Sequence, residues 1–401
     1  MKIGIAAPVD IISFERYFQN EEDLVVLRSN SLHHVASAVH TLVHSLIKKQ
    51  HHVTLYVLSQ NNFILKSEII DIIGIERYKT YPIKHLWGDF LNAKRIEKVI
   101  EKSVNNLDIL HAHWTYAYAL AATKFTSTLP VFCTVRDWAP IIWKFESRKN
   151  KITWFFRMIM SKQVLSAKGL HLIANSPYTQ QLIKKHYNIE TPIIPNPISS
   201  DFLKKETLQK ENVFEIICVS SSLDKRKNIE TLLISFSNVI KVCPSAHLAL
   251  VGPPFTKINR KVEEWRKKNL LQNVTLFGKI NHNDLNEFYD KASLFVTPSL
   301  EETFGNTILE AMARKTAVLG GLHSGAVPYV LNHGEFGFLC DVSNHLELSS
   351  AILHIFSDLE ETKIKTDKAF KFLMQEYVDE VISEKHITMY IKKLNDYNKT
   401  V

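Results

Sequence analysis

The chain of 401 residues is poor in cysteine. It has four, Cys133, Cys218, Cys243 and Cys340, which lie far apart and form no C-x2-C pair. A small disulfide-stabilised scaffold and a structural zinc site both need more cysteines at closer spacing. We therefore expect neither, and we expect the four thiols to be small core side chains in a reducing compartment.

Long apolar runs are also missing. No segment approaches 18 uninterrupted apolar residues, so we expect no transmembrane helix. The first residues, Met1 to Pro8, have the pattern of a buried strand and lack the positive start, apolar stretch and cleavage site of a signal peptide. We expect a cytoplasmic protein.

The composition is otherwise that of a globular protein, with 45% hydrophobic and 22% charged residues. The formal net charge of +8 favours anionic partners such as nucleotide phosphates, acidic lipids or nucleic acid. We expect no nucleic-acid binding, because no recognised nucleic-acid module accompanies the charge. Since single cores stop growing at roughly 250 to 300 residues, the length predicts two domains.

Apolar runs of strand length alternate with segments of helical period. After the N-terminal run, the predicted strands are Val53–Leu58, Ile109–Ala112, Val131–Val135, Leu170–Ala174, Phe214–Val219, His247–Val251, Val274–Phe277, Leu294–Thr297 and Ala317–Leu319. Near-continuous apolar strands joined by helical crossovers are typical of parallel sheets covered on both faces, and the pattern occurs twice. The fold class is therefore α/β, with two doubly wound parallel-sheet domains.

The domain boundary is predicted where three prolines fall between Thr191 and Ile198, since proline at that density does not continue a helix or a central strand. A linker is expected near 197–212. The expected domains are residues 1–197 and 198–378, followed by a helix at 379–401.

The most informative segment follows the predicted strand Leu294–Thr297. Glu302 lies in the loop after this strand, a helix opens near Gly305, and Glu310 lies about two turns into it. In a doubly wound domain, such loops lie at the carboxyl end of the sheet, where ligands bind. The first amides of the helix are suited to sugar or phosphate oxygens, and an ionised Glu310 is suited to a ribose diol.

This segment resembles the signature of the retaining glycosyltransferases of family four. The resemblance rests on two glutamates with seven residues between them, on Phe304-Gly305 between them, and on the sequence Glu310–Ala313. It implies the GT-B architecture, in which two Rossmann-like domains face a cleft. In this architecture 1–197 is the expected acceptor-side domain, 198–378 is the expected nucleotide-sugar domain, and the helix at 379–401 packs back on the first domain. The same resemblance implies a nucleotide diphosphate sugar as co-substrate, retention at the anomeric carbon, and no metal or other cofactor; the lack of an obvious D-x-D motif agrees with metal independence.

The resemblance also implies site residues in the second half of the chain. The expected catalytic residues there are Lys227 and Glu302, and the expected donor-binding residues are Ser222, Arg226, Gly278, Lys279, Ile280, Phe304, Gly305, Asn306, Thr307 and Glu310. Lys227 matches a diphosphate-binding lysine, whose charge suits the leaving group. Ser221 and Ser222 stand where the family usually has glycine and arginine, a loss for which Lys225 or Arg226 is expected to compensate.

Family likeness in the first half of the chain is weaker. The segment 29–35 takes the place of a glycine-rich donor loop, so Asn30 and Ser31 are expected to serve there without glycines. His113 matches a histidine that lines the cleft near the donor sugar. A structural role and, with His111, a metal-ligand role are its alternatives.

Arg136 and Asp137 resemble a family T-x-H-D segment, with Arg136 replacing the histidine. We expect them to contact the acceptor or to form an internal pair.

One segment is strongly basic. Residues 144–168 carry seven cations and a single acid, Glu146, interleaved with large apolar side chains. This pattern is typical of an interfacial helix on an anionic membrane, which would place the protein at the inner face of a membrane. The alternative is a core helix with a solvated basic face.

The sequence thus predicts a glycosyltransferase that moves a hexosyl or related sugar from a nucleotide diphosphate sugar to a hydroxyl of a saccharide or lipid-linked acceptor. Its expected pathway is the assembly of bacterial-type cell-surface polysaccharide, lipopolysaccharide or glycolipid. Two alternatives remain: a catalytically weak glycosyltransferase-like partner subunit, and a sugar-nucleotide epimerase or hydrolase on the same architecture.

Overall fold

A computed structural model describes residues 1–31, 36–78, 87–203, 214–281 and 284–399. The chain divides into two compact units. Unit 1 comprises Met1–Pro197 with Asp379–Val401, and unit 2 comprises Ile198–Val378. Each unit is built around its own largely parallel sheet.

Unit 1 has a seven-stranded sheet in the order β3-β4-β2-β1-β5-β6-β7. Its strands are β1 (Lys2–Ala6), β2 (His52–Ser59), β3 (Phe63–Lys66), β4 (Ile70–Glu76), β5 (Ile109–His113), β6 (Val131–Val135) and β7 (Leu170–Ala174). All neighbours pair in parallel except β3, which is antiparallel to β4 at the edge. The strand order reverses at β1, so β1 and β5 form the switch point of this sheet.

Helices cover both faces of this sheet, with a separate apolar core on each face. They are α1 (Glu21–Asn30), α2 (Ser37–Lys48), α3 (Gly88–Glu101), α4 (Ala117–Ala122), α5 (Ala139–Phe145), α6 (Arg148–Leu165) and α7 (Pro177–Tyr187). The start of α7 follows directly from the sequence: Ser176 accepts a hydrogen bond from the Thr179 amide, and Pro177 takes the first helical position.

Unit 2 has a six-stranded parallel sheet in the order β10-β9-β8-β11-β12-β13. Its strands are β8 (Glu215–Val219), β9 (His247–Val251), β10 (Val274–Gly278), β11 (Leu294–Val296), β12 (Ala317–Gly321) and β13 (Phe338–Cys340). Its helices are α8 (Ile229–Val242), α9 (Arg260–Lys267), α10 (Leu285–Lys291), α11 (Asn306–Ala313), α12 (Val327–Val330), α13 (His345–Ser357) and α14 (Leu359–Glu376). The order reverses between β8 and β11, which places the switch point there.

The last helix, α15 (Asp379–Asn398), returns to unit 1. It packs on α2, where Ser45 donates a hydrogen bond to Ser383 at 2.8 Å. Further along, the Tyr390 hydroxyl lies 2.6 Å from Nδ1 of His111 in the middle of β5. The C-terminal helix is thus part of the core of unit 1.

The predicted fold class is confirmed, and each predicted strand overlaps an observed one. Three strands were missed, β3, β4 and β13; each is short or interrupted by polar residues and glycine. All four cysteines are free. None of the described helices has the length and apolar character needed to cross a membrane.

Candidate functional site

The loops after β8 and β11 meet at the carboxyl edge of the unit 2 sheet, at its switch point. The Leu300 amide donates to the Arg226 carbonyl at 2.7 Å, which ties the two loops together. The loop after β12 joins them, because the Ala326 amide donates to the Glu302 carbonyl at 2.8 Å. Ser324 adds a buried bond from its hydroxyl to the Ser299 carbonyl. These hydrogen bonds between the three loops hold the side chains at their junction in fixed positions.

Lys227 and Glu302 form an ion pair at this junction. The Lys227 Nζ atom lies 2.5 Å from Glu302 Oε1, and Arg226 Nη1 lies 3.6 Å from Glu302 Oε2. Less than a fifth of each of the three side chains is exposed. Burial raises the pKa of Glu302, but the charges of Lys227 and Arg226 outweigh burial, so its pKa lies below the ordinary value. Glu302 is therefore ionised and holds the ammonium group in place.

The loop that carries Lys227 is organised by Asp224. Its carboxylate accepts from the Lys227 amide at 3.2 Å and from the Ser222 hydroxyl at 2.6 Å. Asn228 closes the turn with φ of 54°, a left-handed conformation that asparagine tolerates better than most residues. Sequence reasoning did not identify Asp224 and Asn228. An aspartate whose side chain accepts from the backbone amide three residues later is, however, an ordinary helix N-cap. Ser222, expected in the donor site, lies in the loop and bonds to Asp224.

The helix α11 starts at this junction. Gly305 precedes it with φ of 97°, a conformation that favours glycine. The first-turn amides, including those of the expected donor-binding residues Asn306 and Thr307, point out of the helix N-terminus and make it suitable for an anion. Phe304 is buried in the apolar core under this turn.

Glu310 lies in the second turn of α11 and is buried, with 5% of its surface exposed. Its Oε2 atom accepts a hydrogen bond from the Tyr289 hydroxyl at 3.0 Å. Burial, and then the nearby Glu310 charge, raise the pKa of Tyr289 well above its ordinary value, so Tyr289 acts as a donor. One carboxylate oxygen of Glu310 is thus used within the protein, a contact that the sequence did not reveal.

Three of the expected donor-binding residues, Gly278, Lys279 and Ile280, lie at the carboxyl end of β10. Gly278 has φ of 64°, and its carbonyl accepts from the Gly252 amide at 2.8 Å. Gly252 has φ of 140°, and a Cβ there would lie 1.9 Å from the Ser220 carbonyl oxygen, so only glycine fits against the first loop. Lys279 and Ile280 follow Gly278 directly.

Unit 1 places His113 at the carboxyl end of β5, with its imidazole fully buried. Arg136 donates from Nε to His113 Nδ1 at 3.1 Å and from Nη1 to Asn196 Oδ1 at 2.5 Å. The neighbouring Asp137 accepts from the Tyr116 hydroxyl at 2.6 Å. Burial lowers the pKa of His113 well below its ordinary value, so the imidazole is neutral.

The expected donor loop at 29–35 is wrong in part. Ser29 and Asn30 form the last turn of α1, and Ser31 caps that helix. The Asn30 amide nitrogen donates to the Val26 carbonyl at 2.9 Å, and Ser31 donates to Asp10 at 2.6 Å. The physical reason is that the Asn30 side chain bonds back to the preceding turn, so α1 extends through Asn30 where a loop was expected. The remaining residues, 32–35, lie outside the part of the chain that the structure describes.

The basic segment 144–168 is not one helix. A break at Glu146 and Ser147 separates α5 from α6, and Ser147 caps α6 by accepting from the Asn150 amide. The end of α6 is buried in the core. Its first three turns expose an apolar stripe at Ile152, Phe155 and Ile159, 53%, 50% and 36% exposed.

Two of the segment's cations are engaged inside unit 1. Arg157 pairs with Asp89 at 3.0 Å, and Lys151 stacks on Trp143. No cluster of three or more potential metal ligands occurs among the described residues.

Two family models match this chain. The model described as "Glycosyltransferase Family 4" matches residues 35–202, and the model described as "Glycosyl transferases group 1" matches residues 200–371. Together they span most of both units. The chain belongs to the group 1 glycosyltransferases.

Sequence relatives of this glycosyltransferase include enzymes with different named products. It is 24% identical over 321 residues to the N-acetyl-alpha-D-glucosaminyl L-malate synthase of Bacillus anthracis, covering 77% of this chain and 80% of that protein. It is 22% identical over 310 residues to the alpha-monoglucosyldiacylglycerol synthase of Streptococcus pneumoniae, covering 71% and 67%.

Solved structures share the whole fold. The sucrose-phosphate synthase of Thermosynechococcus elongatus superposes with a TM-score of 0.77 at 17% identity, covering 98% of this chain and 99% of that one. Anabaena HepE in complex with UDP-glucose superposes with a TM-score of 0.67 at 15% identity, covering 100% of both chains. At these identities the likeness shows the GT-B fold of the glycosyltransferase and nothing finer.

Proposed function

We propose that this glycosyltransferase binds a nucleotide diphosphate sugar at the switch point of unit 2 and transfers the sugar, with retention at the anomeric carbon, to an acceptor hydroxyl. The observation that carries the proposal is the partly buried Lys227–Glu302 pair beside Arg226, at the carboxyl edge where a doubly wound domain binds its ligand. The structure of HepE with UDP-glucose supports a nucleotide sugar as the donor.

Lys227 is the group that stabilises the leaving diphosphate. An ammonium group has three donors, of which one goes to Glu302, and we assign the other two to phosphate oxygens of the donor. Charge grows on the diphosphate as the glycosidic bond breaks, and a fixed cation in a partly buried site stabilises that charge. Arg226 and the first-turn amides of α11 add positive potential on the same edge.

Glu302 holds Lys227 rather than attacking the sugar. A carboxylate with two cations against it and a lowered pKa is a weak base and a weak nucleophile. The base in the proposed reaction is the departing phosphate oxygen. The bond from the anomeric carbon to this oxygen breaks, the acceptor oxygen bonds to the same face of the carbon, and its proton passes to the phosphate.

Metal independence is part of this proposal, because Lys227, Arg226 and the start of α11 supply the positive charge that the leaving group needs. Activity should therefore persist in excess EDTA. Glu310, with one oxygen on Tyr289, is assigned to the ribose hydroxyls. Gly278, Lys279 and Ile280 are assigned to the nucleotide base of the donor.

The first experiment is calorimetric titration with UDP and with GDP. Lys227→Met removes the charge but keeps the length of the side chain, and should weaken diphosphate binding by about tenfold to a hundredfold, the value of a charged hydrogen bond of about 1.5 to 3 kcal/mol. Lys225→Met, at an exposed neighbour in the same turn, is the matched control. Since Lys227→Met leaves the partly buried Glu302 without its main partner, the double variant with Glu302→Gln checks that the loss is not one of folding. If wild type, Lys227→Met and Lys225→Met bind UDP and GDP with equal affinity, the assignment of Lys227 is wrong.

Stereochemistry is tested on the product. The anomeric configuration of the transferred sugar, read by proton NMR, should be that of the donor. An inverted product would overturn the proposed retention. Donor consumption without an acceptor would favour the epimerase or hydrolase alternative, and a folded protein that binds but never turns over its donor would favour the partner-subunit alternative.

We also propose that α6 touches an anionic membrane and brings the enzyme to a lipid-linked acceptor in cell-surface glycan or glycolipid assembly. On a helix, Arg148, Ile152, Phe155, Ile159 and Lys162 fall on one face, so the exposed apolar stripe has a cation at each end. An apolar stripe flanked by cations suits a surface of acidic lipids. The relative named as a diacylglycerol glycolipid synthase supports a lipid acceptor.

The membrane proposal is tested by co-sedimentation with liposomes of neutral lipid alone or with acidic lipid added. Wild type should bind the acidic vesicles, and binding should fall as salt shortens the Debye length. Reversal of the exposed Arg148, Lys149 and Lys162 to glutamate should release the protein. Reversal of the exposed Lys267, Lys363 and Lys371 in unit 2 makes the same change in net charge and should leave the protein bound to the vesicles. Equal sedimentation of the two triple variants would refute the proposed surface.

A further inference from the structure

The hydrogen bond between Arg136 and His113 determines where the imidazole carries its proton. A guanidinium group has donors and no acceptor, so His113 Nδ1, 3.1 Å from Arg136 Nε, must be the acceptor. Burial lowers the pKa of Arg136 to about 10, so the guanidinium is still charged at neutral pH. The neutral His113 ring therefore carries its single proton on Nε2.

The Nε2 atom is the end of this ring that is left for a ligand. It is buried and has no hydrogen-bond partner among the residues that the structure describes. A buried donor without an acceptor is costly, so an acceptor oxygen that reaches it gains a strong contact. The ring has no lone pair left to take up a proton, because Nδ1 is used by Arg136 and Nε2 is occupied by hydrogen.

The Arg136 side chain is itself held in place. Its Nη1 atom donates to Asn196 Oδ1 at 2.5 Å, and the guanidinium lies 5.6 Å from the centre of the Trp114 ring. Asn196 lies between Pro195 and Pro197, whose fixed φ angles restrict the backbone there. The direction of the Nε–H bond toward His113 is therefore determined by rigid surroundings.

We propose that Arg136 is a positioning residue that fixes His113 in the Nε2–H form, so that His113 acts on a ligand at the carboxyl end of β5 as a hydrogen-bond donor and not as a general base. The identity of the ligand as a saccharide, with a hydroxyl or ring oxygen as the acceptor, rests on the proposed function. The tautomer does not, since it follows from the contacts within unit 1.

His111 provides an internal control. It lies two residues earlier on β5 with its ring 4.2 Å from that of His113. Both of its nitrogens are engaged, Nδ1 with the Tyr390 hydroxyl at 2.6 Å and Nε2 with the Thr134 hydroxyl at 2.8 Å. A ligand that contacts His113 should therefore leave the nitrogens of His111 unchanged.

The tautomer is measured on the full chain labelled with ¹⁵N in histidine, by two-bond proton–nitrogen correlation spectra at pH 7.5 without ligand. Wild-type His113 should show a protonated Nε2 and an unprotonated Nδ1, assigned by the loss of the signals in His113→Gln. Arg136→Met removes the donor and should move both nitrogens toward averaged shifts. Arg136→Lys, which restores a donor, should recover part of the wild-type pattern. A wild-type His113 protonated on Nδ1, or an unchanged tautomer in Arg136→Met, would overturn the proposal.

The ligand contact is measured by adding glucose, N-acetylglucosamine or mannose in excess to the labelled chain. A sugar that binds by calorimetry should shift the His113 Nε2 signal and not the His111 signals. In transfer assays, Arg136→Met should lower kcat/KM at least tenfold, with partial rescue in Arg136→Lys. Binding of no sugar, or a bound sugar that leaves Nε2 unshifted, would overturn the ligand contact of His113. If no nucleotide sugar binds the protein, the proposed function fails, whereas the tautomer assignment is still decided by the spectra without ligand.

Discussion

Acid should destabilise unit 1 through three histidines that are buried in the neutral state. His111, His113 and His386 are almost fully buried near one another, with the rings of His111 and His386 5.3 Å apart. Burial is the main cause that lowers the pKa of each, to about 3 for His386 and well below the ordinary value of 6.5 for the other two. Arg136 lowers all three further by charge repulsion.

The sign of the effect follows from proton binding. Below pH 6.5 the unfolded chain binds protons at these histidines and the folded chain does not, so stability falls as the pH falls. Between pH 7.5 and 5.5, each histidine should cost about 1.4 kcal/mol, and the three together about 4 kcal/mol. Domains are typically stable by about 5 to 15 kcal/mol, so this loss is a large share. For His386 the loss continues toward pH 3.

The assay is urea unfolding followed by tryptophan fluorescence at pH 7.5 and 5.5. Fluorescence reports mainly on unit 1, because it contains five of the six tryptophans: Trp87, Trp114, Trp138, Trp143 and Trp154. His386→Phe keeps a ring of similar size but cannot titrate, so its loss between the two pH values should be smaller than that of wild type by about 1.4 kcal/mol. If wild type is equally stable at both pH values, or if the variant loses as much as wild type, the buried-neutral histidine cluster is refuted.

Two further predictions concern unit 2. Gly252→Ala should destabilise unit 2 by about 2 to 4 kcal/mol in thermal unfolding, because the new Cβ meets the Ser220 carbonyl oxygen in a strained backbone conformation. Gly334→Ala is the control, because Gly334 has φ of 99° but the nearest neighbour of its new Cβ is 3.9 Å away, so this variant isolates the conformational cost. Equal losses of stability in the two variants would contradict the clash at Gly252. Glu310→Ala should weaken UDP binding by about tenfold to a hundredfold in calorimetry, whereas Glu310→Gln, which still accepts from Tyr289, should retain stability yet bind UDP less tightly than wild type; unchanged affinity in a folded Glu310→Ala variant would remove Glu310 from the site.

Local features were predictable from the sequence because their causes are local. The nine strands predicted from apolar runs between 53 and 319 all overlap strands in the structure. The cap at Ser176 with Pro177 after it needs only the first turn of one helix. The missed strand β4 shows the limit of this reasoning, since its glycine at Gly74 looks like a turn but leaves room for the Phe63 ring of β3.

The expected loop at 29–31 failed for a related reason. Serine and asparagine are common in loops, but they also end helices by bonding to the preceding turn, as Asn30 does with Val26. Sequence alone does not choose between the two, because the choice depends on what α1 packs against. The break at Glu146 and Ser147 in the basic segment is the opposite case, since a serine cap before α6 was visible in the sequence and was overlooked.

The sequence by itself determined the alternation of strands and helices, and with it the two parallel sheets and the place of Glu302, Gly305 and Glu310 in one strand–loop–helix segment. Only the tertiary structure decided the pairs that give these residues their chemistry. Lys227 meets Glu302 across 75 residues, and His111 meets Tyr390 across 279. The first pair depends on strand order, which places β8 beside β11, and the second on the return of α15 to unit 1. Periodicity and capping act over a few residues, whereas such pairs form only after long loops close, so no local pattern records them.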